Sequence, residues 1–168
     1  MKYTVIFYSE TGNTEKISQE IFDALKTDEK ELINLGNQTY IPQSDVYIIG
    51  FPVQRQTCSI KIIECLEDIT SGKIALFATC GLYPNEKYRE KIEDTVSVWL
   101  PDNTEYLGMF MCQGRTSDSQ KDYFYELYNR YPNKISEMLS DGDSHPDKND
   151  MSSAAMFARK IEEAVLEY

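Results

Sequence analysis

The chain has 168 residues, a formal charge of −11 and 41% apolar residues. That length fits one domain with a core of its own, and the blocks of apolar residues exclude disorder for most of the chain. The acidic balance argues against a phosphate-backbone partner, so nucleic-acid binding is not expected.

The first element is a buried strand over 3–8, YTVIFY, a continuous apolar run. Its resemblance to a signal peptide is superficial: the run is short, and polar residues follow it without a small-residue cleavage site. The expectation is an intracellular, cytoplasmic protein. Residues 14–26 place Ile17, Ile21, Phe22 and Leu25 at helical spacing. Strands follow at 31–35 and 45–51, a helix at 59–70 and a strand at 73–79. A helix at 85–99 turns Tyr88, Ile92, Val96 and Trp99 inward, and a strand spans 105–112, with Gly108 a weak or close-packing point. The tyrosine-rich stretch 120–131 reads as a helix whose aromatics pack in the core, the alternative being a ligand box. Residues 141–151 read as a polar link. A closing helix over 152–166 takes Ser152 or Ser153 as N-cap, with Ala155, Phe157, Ala158, Ile161 and Val165 apolar.

Near-continuous apolar strands alternating with helices predict an α/β domain, residues 1–168, with a parallel sheet covered on both faces. No run reaches the roughly 18 apolar residues of a membrane span. Cys58, Cys65, Cys80 and Cys112 form no CxxC and no zinc spacing, so they read as reduced, mostly buried thiols. One histidine, His145, leaves little room for histidine catalysis or a metal centre, and neither is expected.

The sharpest motif is Ser9-Glu10-Thr11-Gly12-Asn13-Thr14, between the first strand and the first helix. Its hydroxyls can donate to a phosphate, Gly12 lets the backbone turn, and the helix N-terminus adds positive potential without a lysine. It is neither a Walker loop nor a dinucleotide fingerprint. An ordinary helix cap needs one hydroxyl, and here there are three.

SETGNT after YTVIFY resembles the flavin mononucleotide (FMN) phosphate loop of flavodoxins. Softer matches are Gly50-Phe51-Pro52-Val53, Cys112-Gln113-Gly114 and His145-Pro146-Asp147, which resemble a small flavodoxin-like group. The resemblance implies a doubly wound, five-stranded parallel sheet of order 2-1-3-4-5, helices on both faces, and FMN as cofactor. In such a sheet the ligand lies outside the carboxyl ends of the strands, at the switch point. The resemblance then points to Pro52, Val53, Arg55, Gln56 and Thr57 after the third strand, and to Thr79, Cys80, Gly81 and Tyr83 after the fourth.

Tyr83 is the expected stacking residue, with Pro52 and Val53 on the other face. The alternatives are a stiffened turn at Pro52 and a surface aromatic at Tyr83. Arg55 either approaches the flavin edge, stabilising an anionic reduced flavin, or sits in solvent. Tyr88 reaches the flavin or belongs to the core, and Cys80 is a reactive thiol or a small buried residue. Related chains usually carry Trp at the place of Pro52 and a glycine at the place of Gln56. With no acid–base or nucleophilic set, the resemblance implies an electron carrier docking redox partners with basic surfaces, as a monomer or weak dimer. The alternative is an FMN-dependent NAD(P)H reductase of quinones or other small acceptors.

Overall fold

A computed structural model describes residues 1–166. Five strands, β1 (Tyr3–Phe7), β2 (Lys30–Asn34), β3 (Val46–Pro52), β4 (Gly72–Cys80) and β5 (Thr104–Gln113), pair in parallel in the order β2-β1-β3-β4-β5. This is the expected doubly wound sheet. Six helices are described: α1 (Asn13–Ala24), α2 (Ile60–Asp68), α3 (Glu86–Ser97), α4 (Asp118–Leu127), α5 (Pro132–Gly142) and α6 (Lys148–Leu166).

Alternate residues of each strand enter opposite cores, as the two-residue period of a strand requires. Ile6, Ile49 and Leu76 join Ile62 and Leu66 of α2 and Ile92 and Val96 of α3 on one face. Val5, Ile48 and Phe77 join Ile17 and Ile21 of α1 and Ala158 and Ile161 of α6 on the other. Apolar runs buried on both faces are what make these strands legible as continuous blocks. Gly50 pairs with Phe77 in register, and a Cβ on Gly50 would lie 1.9 Å from the Phe77 ring. The centre of the sheet is therefore packed around the absence of one side chain.

The differences from the sequence reading lie after α3. Trp99 does not turn inward: α3 ends at Ser97, and Trp99 is 43% exposed beyond it. Gly108 is not a close-packing point, since open space surrounds the position a Cβ would take. It adopts φ +108 next to the register shift between β4 and β5, so backbone conformation selects glycine there. The helix expected over 120–131 stops at Leu127, and Pro132 opens a separate helix, α5, anchored by Ile135 and Leu139. A proline disfavours helical backbone in the residue before it, which separates α4 from α5.

The link expected over 141–151 is shorter, because α6 begins at Lys148. Asp147, not Ser152 or Ser153, caps it: Asp147 Oδ1 accepts the N–H groups of Asn149 and Asp150 at 2.8 and 3.0 Å. Ala154 takes the buried position expected of Ala155, and Phe157 is only half-buried. All four cysteines are free and buried.

Candidate functional site

The crossing from β1 to α1 leaves the N-terminus of α1 without a side-chain cap. Gly12 is the N-cap residue, at φ 89. The first intrahelical bond runs from Lys16 N–H to the Gly12 carbonyl. The N–H groups of the first turn before it have no carbonyl of the helix to bond, and they carry the positive end of the helix dipole. Ser9 Oγ accepts the Gly12 N–H at 3.1 Å, and Thr11 Oγ1 accepts from Asn13 Nδ2 at 3.0 Å. A hydroxyl that accepts keeps its own proton to donate, so both remain free to meet an anion. Thr14 is different. Its buried hydroxyl lies 2.9 Å from that of Thr79, joining α1 to the end of β4. Glu10 is exposed, and its carboxylate accepts from the Tyr8 phenol at 3.1 Å.

The loop after β3 is a tight turn. Gln54 and Thr57 exchange backbone N–H···O bonds of 2.8 and 3.0 Å, and Val53 N–H bonds the Thr79 carbonyl at 2.8 Å. Both central residues have positive φ, Arg55 at 49 and Gln56 at 67. Such a turn normally carries Asn-Gly, and left-handed backbone costs an ordinary residue roughly 1–2 kcal/mol. The strain projects Arg55 and Gln56 into the wall of a cavity of about 570 Å3.

After β4, burial pushes the Cys80 thiol up to about 12, and its Sγ donates to the Leu82 carbonyl at 3.2 Å. A thiol so far from ionisation is a packing residue, not a nucleophile. Tyr83 turns away from the cavity. Its phenol donates to Asp141 Oδ2 at 2.5 Å, and this hydrogen bond holds it up at about 12. It lines a separate depression with Tyr128, Tyr131 and Met138.

The large cavity brings together Val53, Arg55, Gln56, Thr57, Gly81 and Tyr88. Gln54, Cys58 and Leu82 also line it, and the facing wall is Tyr123, Phe124 and Leu127 of α4 with Tyr128 at its C-cap. These aromatics face the cavity rather than the protein core, and no residue of α4 is buried. Arg55 is the one charged side chain in the lining. A smaller depression gathers Glu10, Thr11, Asn13, Pro52, Val53, Thr79, Cys80 and Gly81, and shares Val53, Gly81 and Gln120 with the large cavity. Ser9, Gly12 and Thr14 adjoin it along the chain without lining it.

The sequence reading missed several residues that shape this region. The Gln113 amide donates to the carbonyls of Gly81 at 3.2 Å and Met138 at 3.1 Å, fastening α5 to the loop after β4. The buried Thr116 hydroxyl has no hydrogen-bond partner among the described residues and sits where a Cβ on Gly81 would meet it at 2.4 Å. The motifs around Cys112-Gln113-Gly114 carried a signal for Gln113; nothing distinguished Thr116. His145, Asp147 and Asp150 also cluster, with His145 Nδ1 2.5 Å from Asp150 Oδ2. Asp150 Oδ2 accepts the Asp147 N–H at 2.8 Å, so the cluster is the reciprocal cap of α6.

This topology, with an uncapped first helix and a cavity beyond the strand ends, defines a flavodoxin-type α/β protein. A model of the flavodoxin domain matches residues 4–159, and the chain belongs to that family. It is 31% identical over 171 residues to the flavodoxin-like domain-containing protein BilS of Clostridioides difficile (strain CD3), covering 96% of each chain. Among solved structures it is similar to a WrbA-like flavodoxin from Agrobacterium tumefaciens (TM-score 0.53, 11% identity, 82% of this chain and 98% of that one). It is also similar to a flavoprotein from Lactobacillus acidophilus NCFM solved in complex with FMN (TM-score 0.50, 18% identity, 73% and 97%). At those identities the likeness is one of fold. FMN, expected from the sequence, is the cofactor of the flavodoxin family. Among the described residues no helix is long and apolar enough to cross a membrane.

Proposed function

We propose that the protein binds FMN and carries electrons between redox proteins. The observation that carries this reading is the uncapped N-terminus of α1, opening into a depression that is continuous with a cavity of about 570 Å3. The residues fit the group. Ser9, Glu10, Thr11, Gly12, Asn13 and Thr14 would hold the phosphate through N–H groups and hydroxyls, with Thr14 braced by Thr79. Pro52, Val53, Arg55, Gln56, Thr57, Cys80, Gly81 and Tyr88 would surround the ring. The unpartnered Thr116 hydroxyl behind Gly81 is a polar group awaiting a partner, consistent with a bound molecule nearby.

FMN supplies the redox chemistry, and the protein supplies position and electrostatics. Arg55 stands as the only charge in the cavity lining, where a cation favours added negative charge on a bound ring. The rest of the site carries no acid–base or nucleophilic set. The Cys65 and Cys80 thiols are pushed by burial to about 12, and His145 lines neither cavity. This favours a carrier over an enzyme. The −11 charge suits a partner with a basic surface, and four free thiols suit the reducing cytoplasm.

The test is titration of the purified protein with FMN and with riboflavin, followed by addition of NADPH. FMN binds far more tightly than riboflavin, which lacks the phosphate, and NADPH leaves the yellow complex unbleached. Equal affinity for the two flavins overturns the phosphate site. Rapid bleaching by NADPH replaces the carrier with the NAD(P)H reductase.

A further inference from the structure

α4 is an aromatic helix with little protein to cover it. It buries none of its residues, yet Tyr123 and Phe124, with Tyr128 at its C-cap, line the large cavity. The helix is set close to the sheet end: a Cβ on Gly81 would come within 2.9 Å of the Phe124 ring, so the missing side chain lets that ring approach the end of β4. The Tyr123 and Phe124 rings sit 5.7 Å apart and tilted at 57°, so a planar ring that stacks on one meets the other edge-on. Across the cavity lies Tyr88 of α3, its phenol pushed up by burial and, to a lesser degree, by Cys80, Tyr128 and Tyr123. None of the phenols of Tyr88, Tyr123 and Tyr128 has a hydrogen-bond partner among the described residues.

The facing turn offers no aromatic side chain at all, since residues 52–57 read Pro-Val-Gln-Arg-Gln-Thr. Tyr83 is held away by Asp141. A cavity of this volume falls within the roughly 300–1,000 Å3 of small-molecule sites, and most of its aromatic lining comes from Tyr123 and Phe124 of α4 and Tyr128 at its C-cap.

We infer that α4 is the stacking wall of the site: a fused, planar aromatic ring packs on the face formed by Tyr123, Phe124 and Tyr128. On the reading above, that ring is the isoalloxazine of FMN, and the inference rests on that reading. The aromatic contact comes from the segment between β5 and α6 rather than from the loops after β3 and β4. Offset or edge-on ring contacts then hold the flavin, and free phenols at the cavity wall are placed to donate to its polar atoms. Gly81 is the hinge of the argument in chemical terms, because any side chain there would lift Phe124 off the strand end.

The experiment titrates riboflavin and FMN, followed by flavin fluorescence, into wild type and into Tyr123→Leu, Phe124→Leu, Tyr128→Leu and Tyr83→Leu. Riboflavin isolates the ring contacts because it lacks the phosphate. Thermal unfolding checks the fold, and α4 has no buried residue whose loss would open the core. Each lost α4 ring is expected to weaken both flavins by roughly 2- to 10-fold. Tyr83→Leu leaves both unchanged, and Tyr123→Phe, which keeps the ring but loses the phenol, weakens them less than Tyr123→Leu does. If the α4 variants bind both flavins as wild type does, or if Tyr83→Leu is the variant that weakens them, the inference is overturned while FMN binding stands. If wild type binds neither flavin, the flavin reading itself falls, and the inference with it.

Discussion

Asn13 Nδ2 donates to the Arg115 carbonyl at 2.7 Å, a bond between residues 102 apart in the chain. It ties the first turn of α1 to the loop after β5, so the candidate phosphate cradle and the start of the α4 segment are held as one unit. Gly114 completes the contact, since a Cβ there would lie 2.7 Å from Asn13 Nδ2. Gly114→Ala is expected to push the Asn13 side chain off Arg115. Asn13→Ala, which removes the bond alone, lowers unfolding free energy by about 0.5–1 kcal/mol. Both variants should weaken FMN while leaving riboflavin nearly unaffected, because the damage is at the phosphate end. Equal losses for the two flavins would place Asn13 outside the phosphate site.

Gly50 offers a sharper test of the core. Its Cβ position is 1.9 Å from Cζ of the fully buried Phe77. A buried ring between paired strands has no free volume to retreat into, because interiors are close-packed. Gly50→Ala is expected to destabilise the fold by about 1–3 kcal/mol, read from urea unfolding. Gly50→Ala combined with Phe77→Leu should recover part of that loss, since the smaller residue vacates the contested space. A double variant no better than the sum of the two singles would rule out the clash as the cause.

The elements that the sequence made legible are those whose cover is protein on both sides. β1, β3 and β4 are continuous apolar blocks, and α1 shows Ile17, Ile21 and Leu25 at one-turn spacing. The candidate phosphate loop stood out because hydroxyls, a glycine and a helix start coincide within six residues. α5 was not, because Ile135 and Leu139 are few apolar anchors in a polar stretch. The start of α6 was hidden by His145-Pro146-Asp147, where a proline next to a capping aspartate reads equally well as a turn. Tyr123, Phe124 and Tyr128 read as packing residues because helical spacing of aromatics looks the same whether protein or a ligand covers them. Tyr83 drew attention by its place after β4, but its direction is set by Asp141, 58 residues away.

The cap of α6 carries a pH dependence. The N–H groups of Asp150 and Asn149 bond the Asp147 carboxylate and hold its pKa below the ordinary value, with His145 adding a smaller favourable charge effect. A carboxyl with a lower pKa folded than unfolded binds fewer protons in the folded state. Its contribution is therefore complete above the unfolded value, about 3.9, and is lost as pH falls through the lower folded value. Asp147→Ala is expected to lower the urea midpoint at neutral pH. The gap from wild type should narrow below pH about 4 and close in stronger acid. A gap that stays constant across that range would mean that Asp147 acts without its charge.

Docking by charge is the last expectation. The −11 net charge includes exposed Glu64, Glu67 and Asp68 along α2, and exposed Glu86, Glu90 and Asp94 along α3. Glu93 is spoken for, since it accepts from the Tyr106 phenol at 2.6 Å and pairs with Arg89. α3 starts next to the loop after β4, and Glu86, Glu90 and Asp94 follow one another at one-turn spacing along it. Exposed ion pairs contribute little to affinity, and their effect appears in the association rate. Salt shortens the reach of that field to about 8 Å at physiological ionic strength. Reduction of the FMN-loaded protein by a reductase with a basic surface, followed by stopped flow, is expected to slow steadily as salt rises. Replacing Glu86, Glu90 and Asp94 together by their amides should flatten that dependence without changing FMN affinity. A rate indifferent to salt in wild type would reject charge-steered docking and favour direct reduction by a small molecule.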